Sequence, residues 1–430
     1  MSTQPSLHSE ALTPRCPTKR LIVSASIGNA LELFDFTVFS FFASIIGAEF
    51  FPSTSRYGSL LMAVSIFGVG FIMRPLGGML LGAYADRAGR KSALLLTIVL
   101  MGLGTATIAL APTYAQVGIA APVIILIGRL IQGFSAGGEI GASTTLLLES
   151  AGQHQRGFFL SWQVASQGIS SLLGGLCGAL LSATLSVEAL HAWGWRIPFL
   201  VGLIIIPVGL FIRRQIDETL IPTHREIKQK NPVSIFLKHY GLQFILGLSL
   251  IMAATLMTYI IIFYMPTYMM QVTDVTATTS YMISLGVSVV LVVSGIVSGM
   301  TLDKIPHYRR ITMASVAVAL LLTYPAFALL SHPATLWWAV LLRLIIVASL
   351  GFNMTAGMLL IATSLPRDVR ATGLSMTYAT GVAIFGGTAQ FIVTWLLDTT
   401  GAPLSPAWYL IGMLVLSLIG CYFFKEKHLA

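Results

Sequence analysis

The sequence predicts an all-α membrane protein: twelve transmembrane helices in two six-helix halves, with both termini on the cytoplasmic side. Three observations lead there. The 430 residues are 56% apolar and only 10% charged, with a mean hydropathy of +0.84, whereas a soluble domain carries about 25% charged residues. The apolar runs number six, then a polar break, then six more. Lys and Arg fall almost wholly on one side of those runs. Each span uses about 20 residues, so no polar stretch remains that could fold as a separate catalytic domain. A soluble enzyme on a membrane anchor is excluded.

Taken in order, residues 1–20 lack the basic-then-apolar order of a cleaved signal and read as a cytoplasmic tail. Apolar runs bounded by polar or turn residues follow near 22–50, 57–82, 92–111, 119–148, 158–185 and 197–213. Together they make a first bundle over 21–213. Residues 214–240 form a cytoplasmic linker, the one long hydrophilic stretch inside the chain. Runs resume near 241–265, 279–301, 312–330, 335–364, 371–397 and 406–424, giving a second bundle over 241–424 and a tail over 425–430. The 40 glycines and 18 prolines suit such helices, because small residues let them pack closely and broken helices are tolerated inside a bundle.

Orientation follows from the basic residues. With the N-terminus inside, twenty Lys and Arg lie in inner loops and tails, and only Arg56 and Arg196 lie in outer ones. The remaining three, Arg74, Arg129 and Arg343, fall within spans. The net charge of +9 is therefore a signature of topology and calls for no nucleic-acid partner. Cys16, Cys177 and Cys421 have no metal-ligand spacing. There is also no phosphate-binding glycine loop, no Ser/His/Asp constellation and no HExxH. Neither a cofactor nor a metal is expected, and the chain is not expected to be an enzyme. Trp193, Trp195, Trp337, Trp338 and Trp408 lie near span ends and read as interfacial anchors.

The loops after spans 2 and 8 echo each other. Gly82 precedes Asp86, Arg87, Gly89 and Arg90, while Gly299 precedes Asp303, Lys304, Arg309 and Arg310. An acid and basic groups there can lock the cytoplasmic end of one helix to a neighbour through ion pairing and the helix dipole. Recurrence in both halves points to duplication, the architecture of alternating-access transporters.

Ionisable groups inside spans cost roughly 2.5–3.5 kcal/mol each on insertion scales, so each needs a reason. Glu32, Asp35 and Glu139 are the deep acids, all in the first half, and no histidine lies deep. Carboxylates are thus the groups able to carry protons, with Arg129 as a modulating cation. Asn29, Glu32 and Asp35 step along one face of span 1. Arg129 and Glu139 stand about 15 Å apart on one helix, so each needs a partner elsewhere. Arg343 lies in a half without a deep acid; it either snorkels to an interface or awaits an anionic ligand. In the second case Arg129 and Arg343 could clamp carboxylates from the two halves. Arg74, beside Pro75 at a glycine-rich bend, reads as structural. Gln163, Gln167, Tyr259, Tyr264, Asn353, Tyr378 and Gln390 complete the candidate substrate contacts, although each could equally join two helices.

Several stretches carry a family resemblance over essentially the whole chain. Gly82-Ala-Tyr-Ala-Asp86-Arg87-Ala-Gly89-Arg90-Lys91 and Gly128-Arg129-Leu-Ile-Gln132-Gly133 resemble signatures of the major facilitator superfamily. Its metabolite:proton symporters are resembled by Gly28-Asn29-x-x-Glu32-x-Phe34-Asp35-Phe36, Arg74-Pro75-Leu-Gly77-Gly78 and Trp193-Gly-Trp-Arg196-Ile-Pro198-Phe199. Ser161-Trp162-Gln163-x-x-Ser166-Gln167 is similar to the citrate and tricarballylate transporters of that group. The loop after span 8 departs from the pattern, with Ile305-Pro306-His307-Tyr308 where a glycine is usual.

The resemblance implies the major facilitator fold in a bacterial inner membrane. It also implies proton-coupled uptake of a small organic polyanion (citrate, tricarballylate or a related di- or tricarboxylate), by a monomer. A driving-force argument supports coupling, since each negative charge moved inward against an inside-negative potential costs about 2.3 kcal/mol per 100 mV. The alternatives are a zwitterionic osmolyte such as betaine or proline, which favours an aromatic cage, or another small organic acid such as shikimate. An organic-phosphate exchanger and a sensor without flux fit less well, because span 1 carries two acids and no signalling domain is evident.

Overall fold

A computed structural model of the chain describes residues 18–425 apart from 89, 152–154, 215–231, 274, 306 and 331–332. At some helical positions, Asp86, Arg87, Arg90 and Glu139 among them, it describes the backbone alone. Twelve helical rods run in chain order. The first six are α1 (Thr18–Phe41, continued by Ala43–Phe50), α2 (Gly58–Ala88), α3 (Arg90–Ala109), α4 (Ala120–Ser150), α5 (Arg156–Thr184) and α6 (Ile197–Arg214). The second six open with α7 (Gly241–Leu256, Met257–Tyr264 and Met265–Val272), α8 (Ala277–Leu302) and α9 (Tyr308–Leu330). They close with α10 (Leu336–Ser364), α11 (Arg367–Gly381, Val382–Gly386 and Gly387–Thr400) and α12 (Ser405–Phe423). Among the described residues, nine helices are long and apolar enough to cross a bilayer, and the bent α1 pair makes ten.

Three rods depart from regular winding. α1 bends by 65° where Phe42 interrupts it. α7 widens into a π-helix over Met257–Tyr264, and α11 does so over Val382–Gly386. Every residue of Met257–Tyr264 is buried, so the sequence offers no polar face there to betray the wider turn, and such turns frequently mark functional sites.

Glycines set the closest helix contact. A Cβ on Gly133 would meet the Gly70 carbonyl at 1.7 Å, one on Gly77 the Phe134 carbonyl at 1.8 Å, and one on Gly137 the Arg74 carbonyl at 1.9 Å. The backbones of α2 and α4 thus touch, which is how small residues drive association where lipid removes the usual hydrophobic gain. That contact fixes where α2 carries Arg74.

Polar and apolar surfaces are inverted relative to a soluble protein. Large apolar side chains face outward, with Ile72, Ile119 and Leu321 each at least 70% exposed, as lipid contact requires. Asn29, Glu32, Asp35, Arg74, Arg129 and Arg343 are buried instead. Trp193, Trp337, Trp338 and Trp408 are exposed near rod ends, as expected. Trp195 corrects the sequence reading: it is fully buried and packs edge-on to Phe50 at 5.4 Å, so it is core and no anchor. Within the expected linker, Pro232–His239 is a helix that buries Phe236 against Gly373 of α11.

The two halves meet at both ends of the rods. Near the outer end, Gln390 Nε2 donates to Ser40 Oγ at 2.7 Å, and Ser40 Oγ donates to the Phe263 carbonyl at 3.0 Å. Thr267 and Tyr281 donate to the Ser40 and Phe41 carbonyls. At the inner end, Asp303 accepts from the backbone N–H groups of Gly157 and Phe158, at 2.7 and 2.9 Å.

Candidate functional site

The two acids of α1 enter separate buried networks one turn apart. Asp35 Oδ2 accepts from Gln132 Nε2 at 3.1 Å and from Thr105 Oγ1. Gln132 Oε1 in turn accepts from Arg129 Nη1 at 2.8 Å. One amide therefore stands between anion and cation, with its carbonyl toward the guanidinium and its N–H toward the carboxylate. The Arg129 guanidinium lies 3.6 Å over the Phe39 ring, with Phe36 and Phe67 at 5.4 and 5.5 Å. Arg129 Nε and Nη2 and Asp35 Oδ1 have no hydrogen-bond partner among the described residues. A network with idle donors and an idle acceptor can be rearranged by a proton without first breaking every bond.

Glu32 pairs instead with Arg74 of α2, Oε1 to Nη2 at 3.6 Å, both 2% exposed. The Arg74 guanidinium packs against the Phe36 and Phe71 rings, at 4.8 and 4.3 Å from their centroids. Its Nε and Nη2 make no hydrogen bond among the described residues.

Arg74 also lines a cavity between the halves. Leu33, Arg74 and Gln167 come from the first half, and Ile251, Thr255, Thr258, Tyr259, Met354, Met358, Tyr378 and Val382 are among those from the second. About 450 Å³ of space, open mouth included, lies among them. Every lining residue sits in the middle or inner part of its rod, while the Ser40 bonds seal the outer part. The cavity mixes one guanidinium, two phenols, an amide and two threonine hydroxyls with apolar walls.

The structure distributes the other sequence candidates widely. Gln167, Tyr259 and Tyr378 reach the cavity. Asn29 donates to Ser166 Oγ at 2.6 Å and to the Gln163 carbonyl at 3.3 Å, tying α1 to α5. Gln163 bonds Thr144 of α4 at 3.4 Å. Tyr264 meets Thr394 at 2.8 Å, and Gln390 meets Ser40. Asn353 is buried, and neither of its amide atoms has a hydrogen-bond partner among the described residues. Arg343 does not snorkel. It is 3% exposed, and its Nε donates to the Ile261 carbonyl in the π-helical turn of α7 at 2.9 Å. A guanidinium suits that place because a π-turn leaves main-chain carbonyls short of donors. Neither Arg129 nor Arg343 lines the cavity, so the two form no fork around it here.

Of the loop candidates, Asp303 caps the first turn of α5, where two backbone N–H groups and the dipole favour an anion. Gly89 lies outside the described residues, and at Gly82, Asp86, Arg87, Arg90 and Glu139 the backbone alone is described.

Sequence reasoning passed over Arg74 as a ligand group and over Gln132, Thr105, Thr255 and Thr258. Gln132 had a usable signal, standing three residues after Arg129 and so on the same face. Thr105 on α3 had none, since only tertiary packing brings it to Asp35.

Comparison with known proteins fits this geometry. Residues 25–386 match the Major Facilitator Superfamily, and the chain belongs to that family of multi-pass membrane transporters. It is 37% identical over 402 residues to a citrate-proton symporter of Salmonella typhi, covering 93% of this chain and 92% of that protein. A citrate-proton symporter of Klebsiella pneumoniae is 34% identical over 414 residues, 95% of this chain and 92% of its own. The alpha-ketoglutarate permease of Escherichia coli is 35% identical over 402 residues, 93% and 91% of the two chains. Among solved structures, the D-xylose-proton symporter superposes with a TM-score of 0.75 at 17% identity, covering 96% of this chain and 99% of that one.

Proposed function

We propose that the protein is a proton-coupled symporter that takes a small organic polyanion, citrate, tricarballylate or a related di- or tricarboxylate, into the cell by alternating access. The observation that carries this reading is the mid-rod cavity with a guanidinium, two phenols and an amide on its wall, set beside two buried acids of α1. The anionic groups of the substrate meet donors from both halves, so binding spans the surface along which the halves part. Protons ride on Asp35 and Glu32, which share the first half with Arg129 and, further along α4, Glu139. Each proton taken up cancels one negative charge moved against the membrane potential.

The names of the relatives support the same class of substrate, since citrate and alpha-ketoglutarate are both polycarboxylates. The moving bodies are assigned to residues 21–213 and 241–424, joined by 214–240, with both termini cytoplasmic in a bacterial inner membrane. The transporter works as a monomer, performs no covalent chemistry and engages no nucleic acid.

Substrate competition tests the assignment. Labelled citrate taken up by proteoliposomes should be displaced by tricarballylate and succinate, and poorly by shikimate or betaine. If betaine or proline displaces citrate better than any carboxylate does, the polyanion assignment fails and an osmolyte takes its place.

A further inference from the structure

Arg74 both pairs with an internal anion, Glu32, and lines the cavity. Arg74 is the one charged residue among those that line the cavity. Two of its nitrogens have no hydrogen-bond partner among the described residues, although a guanidinium offers five donors in a planar fork. Its ion pair with Glu32, at 3.6 Å, is longer than a charge-assisted hydrogen bond of about 2.7–2.9 Å. The Phe36 and Phe71 rings pack against the guanidinium, and the contact of Gly137 with the Arg74 carbonyl fixes its backbone. A rigid, desolvated and incompletely bonded cation that faces a cavity is built to receive a planar carboxylate bidentately.

We propose that a substrate carboxylate and the Glu32 side chain compete for Arg74, so that Arg74 is the primary anion-binding residue and Glu32 its resting occupant. This rests on the polyanion reading and deepens it, naming which group recognises the anion and what the anion must displace. The groups facing Glu32 across the site are Arg74 from α2 and the phenols Tyr259 and Tyr378 from α7 and α11. The neighbouring α5 side presents the neutral Gln163, Ser166 and Gln167, and Asp35 follows one turn along α1. Once the substrate holds Arg74, Glu32 loses that ion pair, and it becomes a group on which a proton crosses with the substrate. A second carboxylate then finds Tyr259, Tyr378 and Gln167 across the cavity.

Binding of labelled citrate to purified protein in nanodiscs tests the competition, with melting temperature recorded for every variant. Glu32→Gln removes the internal competitor at nearly constant volume, and citrate should bind about tenfold tighter or more. Arg74→Lys keeps the charge and loses the fork, so binding should weaken about tenfold. In the Arg74→Ala background the gain from Glu32→Gln should vanish, because both side chains act on one site. A purely structural ion pair predicts lower melting temperatures for the single variants with unchanged citrate affinity, and that result overturns the proposal. Failure of the wild type to bind citrate, tricarballylate or succinate is a separate outcome; it sinks the polyanion reading and this inference with it.

Discussion

Asp35 and Arg343 show how far single residues can be read from sequence. A deep acid stands out on cost alone, and Asp35 is indeed buried with its carboxylate bonded to Gln132 and Thr105. Asp35→Asn removes the titrating group while keeping shape. We expect proton-driven accumulation to vanish while exchange of labelled for unlabelled substrate persists; uphill uptake by this variant at every external pH tested would remove Asp35 from coupling. Arg343 was legible as a charge needing a partner, but its partner is a main-chain carbonyl, and sequence carries no mark of which carbonyls a π-turn leaves free. Lys cannot place a donor where Arg343 Nε meets Ile261. Arg343→Lys should therefore lower the melting temperature and slow transport by about tenfold, in line with roughly 1–3 kcal/mol for a buried group left unsatisfied. A silent Arg343→Lys, measured by thermal melting and initial uptake rate, would return the residue to a snorkelling role.

Elements were more legible than their irregularities. All twelve apolar runs appear as rods, because length and hydropathy alone decide whether a segment can span. The bend in α1 and the π-turns in α7 and α11 depend on tertiary contacts and left no trace in apolar periodicity. The glycine pairs of α2 and α4 were visible as motifs, yet only the fold shows that they press backbone on backbone. Gly133→Leu should separate those helices and displace Arg74, with loss of both folded yield and citrate binding on size-exclusion and binding assays. The paired loops were legible as an echo, and in the second of them Asp303 has defined partners. Asp303 takes two backbone N–H groups at the start of α5 across the two halves. Asp303→Asn weakens that cap without reaching the cavity, so turnover should fall several-fold while affinity for citrate changes less than twofold, consistent with about 1 kcal/mol for a helix cap. A large loss of affinity with turnover preserved, measured on one purified sample, would show that the contact is no latch.

At the scale of the whole molecule, loop charges led to an expectation of duplication and sidedness, but nothing in the sequence led to the cavity. Its walls join Leu33, Arg74 and Gln167 to Tyr259, Met354 and Tyr378, residues far apart in the chain whose meeting depends on how the halves dock. That also explains why Arg74 read as structural: beside Pro75 and among glycines its local context is that of a helix bend, and its exposure to a cavity is a property of the assembled bundle. The central claim is that this bundle couples protons to polyanion entry, and gradient-driven uptake tests it most directly. Proteoliposomes holding the purified protein, given an inward proton gradient, should concentrate labelled citrate above the outside level and lose it when a protonophore is added. Citrate uptake that only equilibrates, at the same rate with and without the gradient, would contradict the account.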